Sequence, residues 1–349
     1  MALRFNTIMR ALLAGNSVPA VTPVLTVAST TGVAPFGVVV DGVQTTTTNG
    51  SISKLRDLIY FFQCSDTGMG NYTNGVLAGK ARNQFVGGPI AAFTLVTPGT
   101  QTISMWAYDG TRVYGPSTQT ITVQDPDVVF PTTQTVCVST SGTFTGKPTG
   151  ATEVTSSDFY AQINTYKASN KRILFRAGES FTTNAAGTFN TLTNFFVGTF
   201  GGAGYATVTV TANNITGLFG GSAANAAQNN DKIVCTNIHF TRALAGGVTG
   251  GVALATGGRP DTVSGTDYTK GNFTFHNCKA SNILQLAGAV GGYNVVFSQC
   301  VSENTNEGAA ASGGVGIYMD EIVRGAVIDS SIDNNLGGEH CIRRQGGSY

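Results

Sequence analysis

The chain has 349 residues, of which 46 are glycine and only 11% are charged, and 20 Lys and Arg against 19 Asp and Glu leave a net charge of +1. A balance this close to zero lacks the basic face of a nucleic-acid binder, and no apolar run reaches the roughly 20 residues of a membrane-spanning helix. The apolar fraction of 41% is too high for a disordered chain. We therefore expect a β-rich, turn-dense protein that neither binds nucleic acid nor inserts into a membrane.

Residues 1–20 are predicted to form an arm with a short amphipathic helix. Apolar side chains recur there at helical spacing (Phe5, Ile8, Met9, Leu12 and Leu13), and Gly15 follows as a stop signal. Arg10 interrupts the apolar stretch, which is then too short for a secretory signal. Two interpretations are open: the helix docks on a larger assembly, or it packs on its own first domain or frays.

Residues 21–125 contain short strand patterns separated by turn residues, without helical segments between them. Strands are predicted at residues 24–27, 36–40, 58–62, 92–96 and 101–108. Short strands at this spacing are typical of a β-sandwich. We therefore expect an all-β first domain over this range.

Three segments of this domain resemble a PKD-type (polycystic-kidney-disease-type) Ig-like domain. Residues 31–41 (TGVAPFGVVVD) resemble its opening, residues 97–110 (TPGTQTISMWAYDG) its closing hairpin and residues 120–123 (TITV) its last strand. The middle departs from the family, because residues 60–68 (YFFQCSDTG) stand where the family has an aromatic-Asp-Phe-Gly-Asp-Gly turn. The resemblance implies an Ig-like spacer or adhesion module without catalytic residues.

After this domain the pattern changes. Residues 124–127 (QDPD) are predicted to be a linker, because proline breaks strand pairing. Residues 157–167 are predicted to form a helix with Ser157 or Asp158 as its N-cap. Residues 171–176 are then predicted to form a strand that turns at Gly178. The apolar face of the helix comprises Phe159, Ile163 and Tyr166.

Beyond residue 231 four segments repeat one pattern, at residues 233–242, 273–282, 295–304 and 326–335. The last three share an apolar residue, a small residue and a terminal Asn, and the first keeps Cys235 and Ile238 but ends in Arg242. Second strands are predicted at residues 283–286, 316–319 and 341–343. Such a repeat is what one coil of a parallel β-helix needs. The recurring residues are Phe275, Phe297 and Ile328, then Cys278, Cys300 and Ser331, then Asn282, Asn304 and Asn335.

The second region resembles the pectate-lyase-like right-handed parallel β-helix family, and residues 171–179 (KRILFRAGE) resemble that family's N-terminal capping segment. The resemblance implies a right-handed parallel β-helix over residues 126–349, as in phage tailspike and fibre proteins. Asn residues stacked at a turn would stabilise one another, and the glycine-rich residues 246–251 and 309–316 would form loops. Residues 339–344 open a new coil just before Tyr349, so we expect the natural product to be longer.

The six cysteines have no CxxC spacing, and most lie within apolar strand patterns. We therefore expect reduced core side chains and no structural zinc site. His239 and His276 lie beside core strand positions, so a structural role is favoured over metal ligation. We expect no cofactor, and calcium would be needed only if the protein were a lyase.

Acidic residues are the candidates for catalysis, because hydrolysis of a glycosidic bond needs two carboxylates that face one sugar. Asp320 or Glu321 is predicted to pair with Glu339, with His340 or Arg343 alongside. A lyase would instead use Arg343 or Arg344 as the base beside carboxylate-bound Ca²⁺. The alternative is that solvent-facing positions of a coil are simply polar. The same acidic group includes Asp329 and Asp333, with Glu303 and Glu307 one coil earlier.

Tyr318, Tyr293 and Arg343 are the candidate carbohydrate-binding residues. Aromatic rings can stack on sugars, but packing in the core or on the surface is the simpler interpretation for both tyrosines. A carbohydrate site on the second region would fit the polysaccharide ligands that the β-helix resemblance implies.

Three functions follow from these features. The favoured one is a virion structural and receptor-binding protein of the tailspike or fibre type, assembled in the host cytoplasm. It would bind host surface polysaccharide through the β-helix and other virion proteins through the N-terminal arm, and the resemblance implies a homotrimer. A secreted polysaccharide lyase or glycoside hydrolase with a PKD module is the second, extracellular alternative, and a bacterial cell-surface adhesin is the third. Depolymerase activity is compatible with the first and required by the second.

Overall fold

The computed structural model describes residues 20–48, 50, 52–72, 77–184, 192–211, 215–218, 230–242, 251–257, 271–282, 285–303, 315–322, 324–333 and 340–345. At residues 215–218, 251–257, 285–291, 315, 318, 320, 321, 340, 341 and 343–345 it describes the backbone. The chain is all-β with several parallel sheets, which confirms the expected class. It divides into two compact units, Met1–Gln124 and Asp125–Tyr349. The predicted N-terminal arm lies outside the described residues up to residue 19.

The first unit consists mainly of antiparallel strands. They are β1 Val21–Thr22, β2 Thr26–Val27, β3 Thr31–Val33, β4 Phe36–Asp41, β5 Thr46–Thr47, β6 Ile59–Cys64, β7 Gln84–Gly87, β8 Ile90–Leu95, β9 Gly99–Tyr108 and β10 Val113–Gln124, with the 3-10 helix η1 at Thr67–Met69. A five-stranded sheet has the order β3-β10-β9-β6-β7, a three-stranded sheet has the order β2-β4-β8, and β1 pairs with β5. Only β3 and β10 pair in parallel among these described strands. The five predicted strands all overlap observed strands.

The two larger sheets of this unit share one core. Along β9, buried Ile103, Met105 and Ala107 alternate with half-buried residues, as expected of a strand with one face on a core. The three-stranded sheet contributes Phe93 and Val38 to the same cluster, and both are fully buried. Single side chains from distant parts of the sequence therefore meet in this core.

A buried carboxylate ties the segment after β6 to the end of β8. Asp66 is 1% exposed, and its Oδ2 accepts hydrogen bonds from the backbone N–H groups of Val96 at 2.7 Å and Thr97 at 3.0 Å. Its Oδ1 accepts a third from the N–H of Gly68 at 2.9 Å. A carboxylate that receives three backbone donors fixes the conformation of both segments.

The second unit consists of parallel strands. They are β11 Thr135–Ser139, β12 Thr152–Thr155, β13 Lys171–Arg176, β14 Ser180–Thr183, β15 Thr193–Phe200, β16 Ala206–Val210, β17 Ile215–Leu218, β18 Asp231–Thr236, β19 Ile238–Arg242, β20 Gly251–Gly257, β21 Asn272–His276, β22 Lys279–Ser281, β23 Gln285–Gly292, β24 Asn294–Ser298, β25 Val301–Glu303, β26 Val315–Ile322, β27 Gly325–Ile328, β28 Ser331–Asp333 and β29 His340–Gln345. Its helices are α1 Pro126–Val129, the 3-10 helix η2 Thr132–Gln134 and α2 Phe159–Tyr166.

These strands form three sheets that the chain visits in rotation. Sheet A has the order β12-β11-β13-β15-β18-β21-β24-β27, sheet B the order β14-β16-β19-β22-β25-β28 and sheet C the order β17-β20-β23-β26-β29. From β15 onward, every three consecutive strands enter sheets A, B and C in that order. The described residues of the predicted second strands, 285–286, 316–319 and 341–343, lie in sheet C. The predicted loops 246–251 and 309–316 lie mostly outside the described residues, and β20 and β26 begin within their last residues.

The segment before sheet A is anchored to it by a buried arginine. Arg172 is 3% exposed, and its Nη2 lies 2.6 Å from Oδ1 of Asp127, while its Nε donates to Thr135 Oγ1 at 2.9 Å. The guanidinium also lies over the ring of Phe130, at 5.9 Å from its centre.

The predicted linker 124–127 is helical from Pro126 onward, and Asp125 caps that helix. Sequence patterns do not predict β11 and β12.

Helix α2 forms where the sequence predicts it. Of the two predicted caps, Asp158 is the one observed, because its Oδ1 accepts from the N–H of Ala161 at 2.9 Å. Phe159 and Ile163 are buried, whereas Tyr166 is half-buried. The following strand has the predicted bounds, Lys171–Arg176, and Gly178 turns it with a φ of +80°.

Like residues stack in the interior of this unit. The rings of Phe275 and Phe297, on neighbouring strands, lie 4.8 Å apart at an interplanar angle of 11°. Cys278 Sγ lies 3.8 Å from Cys235 Sγ. All cysteines whose side chains the structure describes are free and buried, as expected. Burial raises the pKa of the Cys137 thiol to about 12, which keeps it protonated and unreactive.

The predicted register is confirmed for three repeats and wrong for the fourth. Ile233, Phe273 and Val295 are successive register partners, as the repeat alignment requires. In the fourth repeat Val295 pairs with Gly325 and Val301 with Ser331, so every position is one residue earlier than predicted. The sequence is ambiguous there because two apolar and two serine residues follow one another, so either register satisfies the pattern.

The bend between sheets A and B has a recurring conformation. Its first residue has a positive φ on four successive occasions: Asn237, Asn277, Gln299 and Asp329. Asn tolerates this conformation better than most residues, and Asn277 Nδ2 donates to Asn237 Oδ1 at 2.6 Å. This Asn pair lies at a different turn from the predicted ladder. Of the three residues predicted for that ladder, Asn304 and Asn335 lie outside the described residues.

Candidate functional site

Sheet B presents an outer face that is polar at every position named below except Val301. Its inner positions Val208, Phe240 and Ala280 belong to the core of the unit, and successive strand residues point to opposite sides. The intervening positions therefore form two outer rows across neighbouring strands, which we call the polar face. One row is Thr207, His239, Lys279, Val301 and Ser331, and the other is Thr209, Thr241, Ser281, Glu303 and Asp333.

A histidine and a serine meet diagonally on the polar face. His239 Nε2 lies 2.7 Å from Ser281 Oγ, on the adjacent strand. The imidazole packs edge-to-face against Tyr205, with ring centroids 6.0 Å apart, and the Tyr205 hydroxyl donates to Asn277 Oδ1 at 2.9 Å. The ring of His239 is therefore held both by a hydrogen bond and by an aromatic neighbour.

The surroundings of His239 favour its neutral form. Burial lowers the pKa of the imidazole, and the ammonium of Lys279 lowers it further, while the carboxylate of Glu303 opposes both effects. The imidazole is consequently uncharged near neutral pH, with one ring nitrogen free of a proton. A neutral imidazole in contact with a hydroxyl can act as a proton acceptor.

An ion pair completes this part of the face. Lys279 Nζ lies 2.7 Å from Glu303 Oε2, and both side chains are partly exposed. Lys279 is the register partner of His239, and Glu303 is the register partner of Ser281. Water screens a pair of this exposure, so it contributes at most about 1 kcal/mol to stability. Its chief effect is to place one positive and one negative group beside the histidine and the serine.

Two carboxylates occupy neighbouring positions at the end of the face. Glu303 and Asp333 are register partners on β25 and β28, and such strands lie roughly 4.8 Å apart. The register therefore places their backbones close together, as the ~5–5.5 Å between the carboxyl groups of retaining glycosidases requires of neighbouring residues. Both residues were part of the acidic group identified in the sequence, but its predicted pair lay elsewhere.

Two of the three predicted catalytic residues lie on sheet C. Asp320 and Glu321 are on β26, where Asp320 is the register partner of Gln345, and Val315 is the partner of His340. Five residues of strand, about 16 Å, therefore separate the positions of Asp320 and His340 along the sheet. Glu339 lies outside the described residues. The pairing of Asp320 or Glu321 with Glu339 stays a prediction.

The predicted carbohydrate-binding residues lie in two places. Tyr318 and Arg343 are register partners on β26 and β29, so the structure brings their backbone positions together. Tyr293 lies between β23 and β24, and the Arg324 guanidinium lies 5.5 Å from the centre of its ring. Sugar stacking on Tyr293 would have to use the other side of the ring.

Sequence patterns did not single out Ser281 or Lys279. The alternation of His239 and Lys279 with buried neighbours is visible in the sequence, but the diagonal contact between strands 42 residues apart is not. That contact depends on the register between the repeats.

Neither a metal site nor a membrane span is found in the described part of the chain. No three or more His, Cys, Asp or Glu side chains among the described residues cluster so that they could hold a metal ion. No helix among them is long and apolar enough to cross a bilayer. Calcium binding, which a lyase would use, stays a prediction.

Comparison of the chain with protein families, with characterised proteins and with solved structures finds no match. The sequence patterns and the geometry of the polar face therefore carry the functional interpretation.

Proposed function

We propose that the second unit is a right-handed parallel β-helix. Three parallel sheets visited in rotation around one buried interior support this fold. Crossovers between parallel strands are right-handed in nearly all proteins, which supports the hand. The stacked Phe275 and Phe297 and the recurring bend conformation are what successive similar coils would produce.

The first unit is a PKD-type Ig-like sandwich in this proposal. Two mainly antiparallel sheets around one core support it, as does the hairpin of β9 and β10, which covers the segment that resembles the family's closing hairpin. Such a module would act as a spacer, consistent with the absence of a titratable cluster in the motif segments that carry the resemblance.

The protein functions in this proposal as a virion structural and receptor-binding protein of the tailspike or fibre type. The polar face carries it: a flat row of hydroxyl, imidazole, ammonium and carboxylate groups is chemically suited to the hydroxyl-rich surface of a polysaccharide. Host surface polysaccharide is the ligand, and the N-terminal arm binds other virion proteins. Trimer formation belongs to the same proposal.

Peptide mass spectrometry of purified particles and of cell-free medium from the source culture tests this assignment. Peptides such as the one containing ILFR (residues 173–176) should co-purify with particles in constant ratio to other virion proteins. Finding them only as free protein in the medium would overturn the assignment.

Glycan binding is tested separately by blocking the polar face. Thr241 lies in its second row, so T241W should cover the face and abolish binding to host polysaccharide in a glycan-array assay. The matched control is T111W, which places the same ring on an exposed turn of the first unit and should leave binding unchanged. Equal binding by both variants would move the site away from sheet B.

A polysaccharide hydrolase is the second candidate, and the neighbouring carboxylates of Glu303 and Asp333 favour it. E303Q and D333N should each abolish depolymerisation, and the amide that replaces each carboxylate can still hydrogen-bond the glycan, so the loss of binding should be much smaller than the loss of cleavage. Unchanged depolymerisation in both variants would exclude this pair as the acid and the nucleophile.

A further inference from the structure

Among the described side chains of the second unit, two Ser–His hydrogen bonds have nearly the same length. His239 Nε2 and Ser281 Oγ are 2.7 Å apart on sheet B, and His276 Nδ1 and Ser298 Oγ are 2.8 Å apart on sheet A. Both pairs join strands that neighbour each other in a sheet. They differ in where they lie, and this difference separates a reactive pair from a structural one.

Both histidines are half-buried, but the serines differ in exposure and in their charged neighbours. Ser298 is 1% exposed, whereas Ser281 is 8% exposed and adjoins the ion pair of Lys279 and Glu303, both of which reach solvent. A substrate lying along the polar face would therefore pass next to Ser281. A substrate cannot reach Ser298 in the same way, because this serine is almost completely buried. The pair on sheet A is therefore an internal control.

The arrangement on sheet B meets the requirement for an activated hydroxyl. A serine is a weak nucleophile until a neighbouring base accepts its proton at hydrogen-bond distance. In the tautomer with its proton on Nδ1, His239 Nε2 accepts the Ser281 hydroxyl proton at 2.7 Å. The surroundings of His239 keep the imidazole neutral, as that role demands.

We propose that Ser281 and His239 form a nucleophile–base pair that hydrolyses small O-acyl esters on the glycan bound at the polar face. The inference rests on the proposed glycan binding for its substrate. A small acyl group suits a serine that is only slightly exposed beside the polar face. The ammonium of Lys279, two residues earlier on the same strand, belongs to the same face and would stabilise the negative charge that develops on the carbonyl oxygen.

The reaction needs no reactant other than the ester and water. Ser281 Oγ attacks the acyl carbon as its proton moves to His239 Nε2, and the departing sugar oxygen takes that proton as the ester bond breaks. Water then attacks the acyl-serine, giving its proton to His239, and the serine regains a proton as the carboxylic acid leaves. Each turnover consumes one ester and one water and yields one alcohol and one acid.

The test uses the full-length chain and two probes that do not depend on the glycan. A fluorophosphonate probe should label wild-type protein, and tandem mass spectrometry should localise the phosphonyl group to Ser281. Hydrolysis of p-nitrophenyl acetate should fall by about 100-fold or more in S281A and in H239Q. S298A is the matched control, and it should retain both the labelling and the hydrolysis.

Absence of phosphonyl transfer to Ser281 would overturn the inference, and so would unchanged hydrolysis in S281A. Thermal unfolding of each variant shows whether it has kept its fold. Labelling of Ser281 in the wild-type protein tests whether this serine is a nucleophile without relying on any variant. Glycan-array binding by the wild-type protein, compared with its labelling, separates the two proposals. Binding without labelling would leave the proposed function standing and discard the esterase, whereas labelling without glycan binding would confine the pair to other small esters.

Discussion

The two units of this protein build their cores in opposite ways. In the first, mainly antiparallel sheets bring together side chains of different types, such as Phe93 and Met105, and these contacts do not recur from strand to strand. In the second, parallel strands place like residues on one another, as with Phe275 and Phe297. The polar face of sheet B is the outer counterpart of that stacking, because it too consists of rows across neighbouring strands.

This difference shows why a repeating unit can offer an extended surface. Parallel neighbours lie roughly 4.8 Å apart, so one polar residue per strand gives a row of regularly spaced groups. A core made of unique contacts has no such translational order. Each unit should therefore respond to substitution in its own way, and four experiments test that expectation.

The largest effect is expected for loss of a stacked interior ring. F275A removes a fully buried side chain from between its neighbours and should cost about 3–5 kcal/mol of unfolding free energy. Hydrogen exchange followed by mass spectrometry should locate the lost protection in β21 and in the strands on either side. F93A is the control in the first unit and should leave protection of the second unit unchanged. Loss of protection in both units from either variant would contradict two independent cores.

Removal of the Asp66 carboxylate should cost somewhat less. D66A leaves three backbone N–H groups without their acceptor, and the expected loss is about 3 kcal/mol in denaturant unfolding. D66N keeps one acceptor oxygen and should lose less. Equal losses in D66A and D66N would mean that the hydrogen bonds do not hold the segment after β6.

Two substitutions at the bend between sheets A and B distinguish the cost of backbone strain from the loss of side-chain hydrogen bonds. N277A must place an alanine at a φ of +50° and also loses the hydrogen bonds with Asn237 and Tyr205, so it should cost about 2 kcal/mol. N277G relieves the strain and should cost about 1 kcal/mol. If the two variants unfold at the same denaturant concentration, the backbone conformation at this bend carries no cost.

The smallest effect is a pH dependence at Glu179. Burial raises the pKa of this carboxyl, but hydrogen bonds from Ser141, Thr140 and Ser139 outweigh it and leave the pKa below its ordinary value. The lowered pKa means that the native state binds its proton less readily than the unfolded chain. The resulting stability is present above the unfolded pKa of roughly 4.3 and is lost as the pH falls through the native pKa.

The comparison of wild type with E179Q measures this effect. The wild-type advantage in unfolding free energy should be constant near neutral pH and should shrink as the solution is acidified. A difference between the two proteins that stays constant down to about pH 3 would contradict the assignment. It would mean that Glu179 has the same pKa in the native and unfolded states, close to the ordinary value of roughly 4.3.

Local patterns predicted much of the architecture. The strand at Lys171–Arg176 and the Asp158-capped helix follow from short-range signals, and the register of three repeats follows from positions with a clear apolar or small character. The fourth repeat fails where Val327 and Ile328, and then two serines, allow two registers. Strands β11 and β12 escaped notice because neither belongs to a repeat.

The sequence by itself determined the all-β class, the change in pattern near residue 125 and the presence of a repeating unit, because these depend on composition and on spacing along the chain. Only the tertiary structure decided that His239 meets Ser281 and that Glu303 lies beside Asp333. Those pairs are 42 and 30 residues apart. Which residues touch across parallel strands depends on the register of the coils, and one residue of slip would give each position a different neighbour.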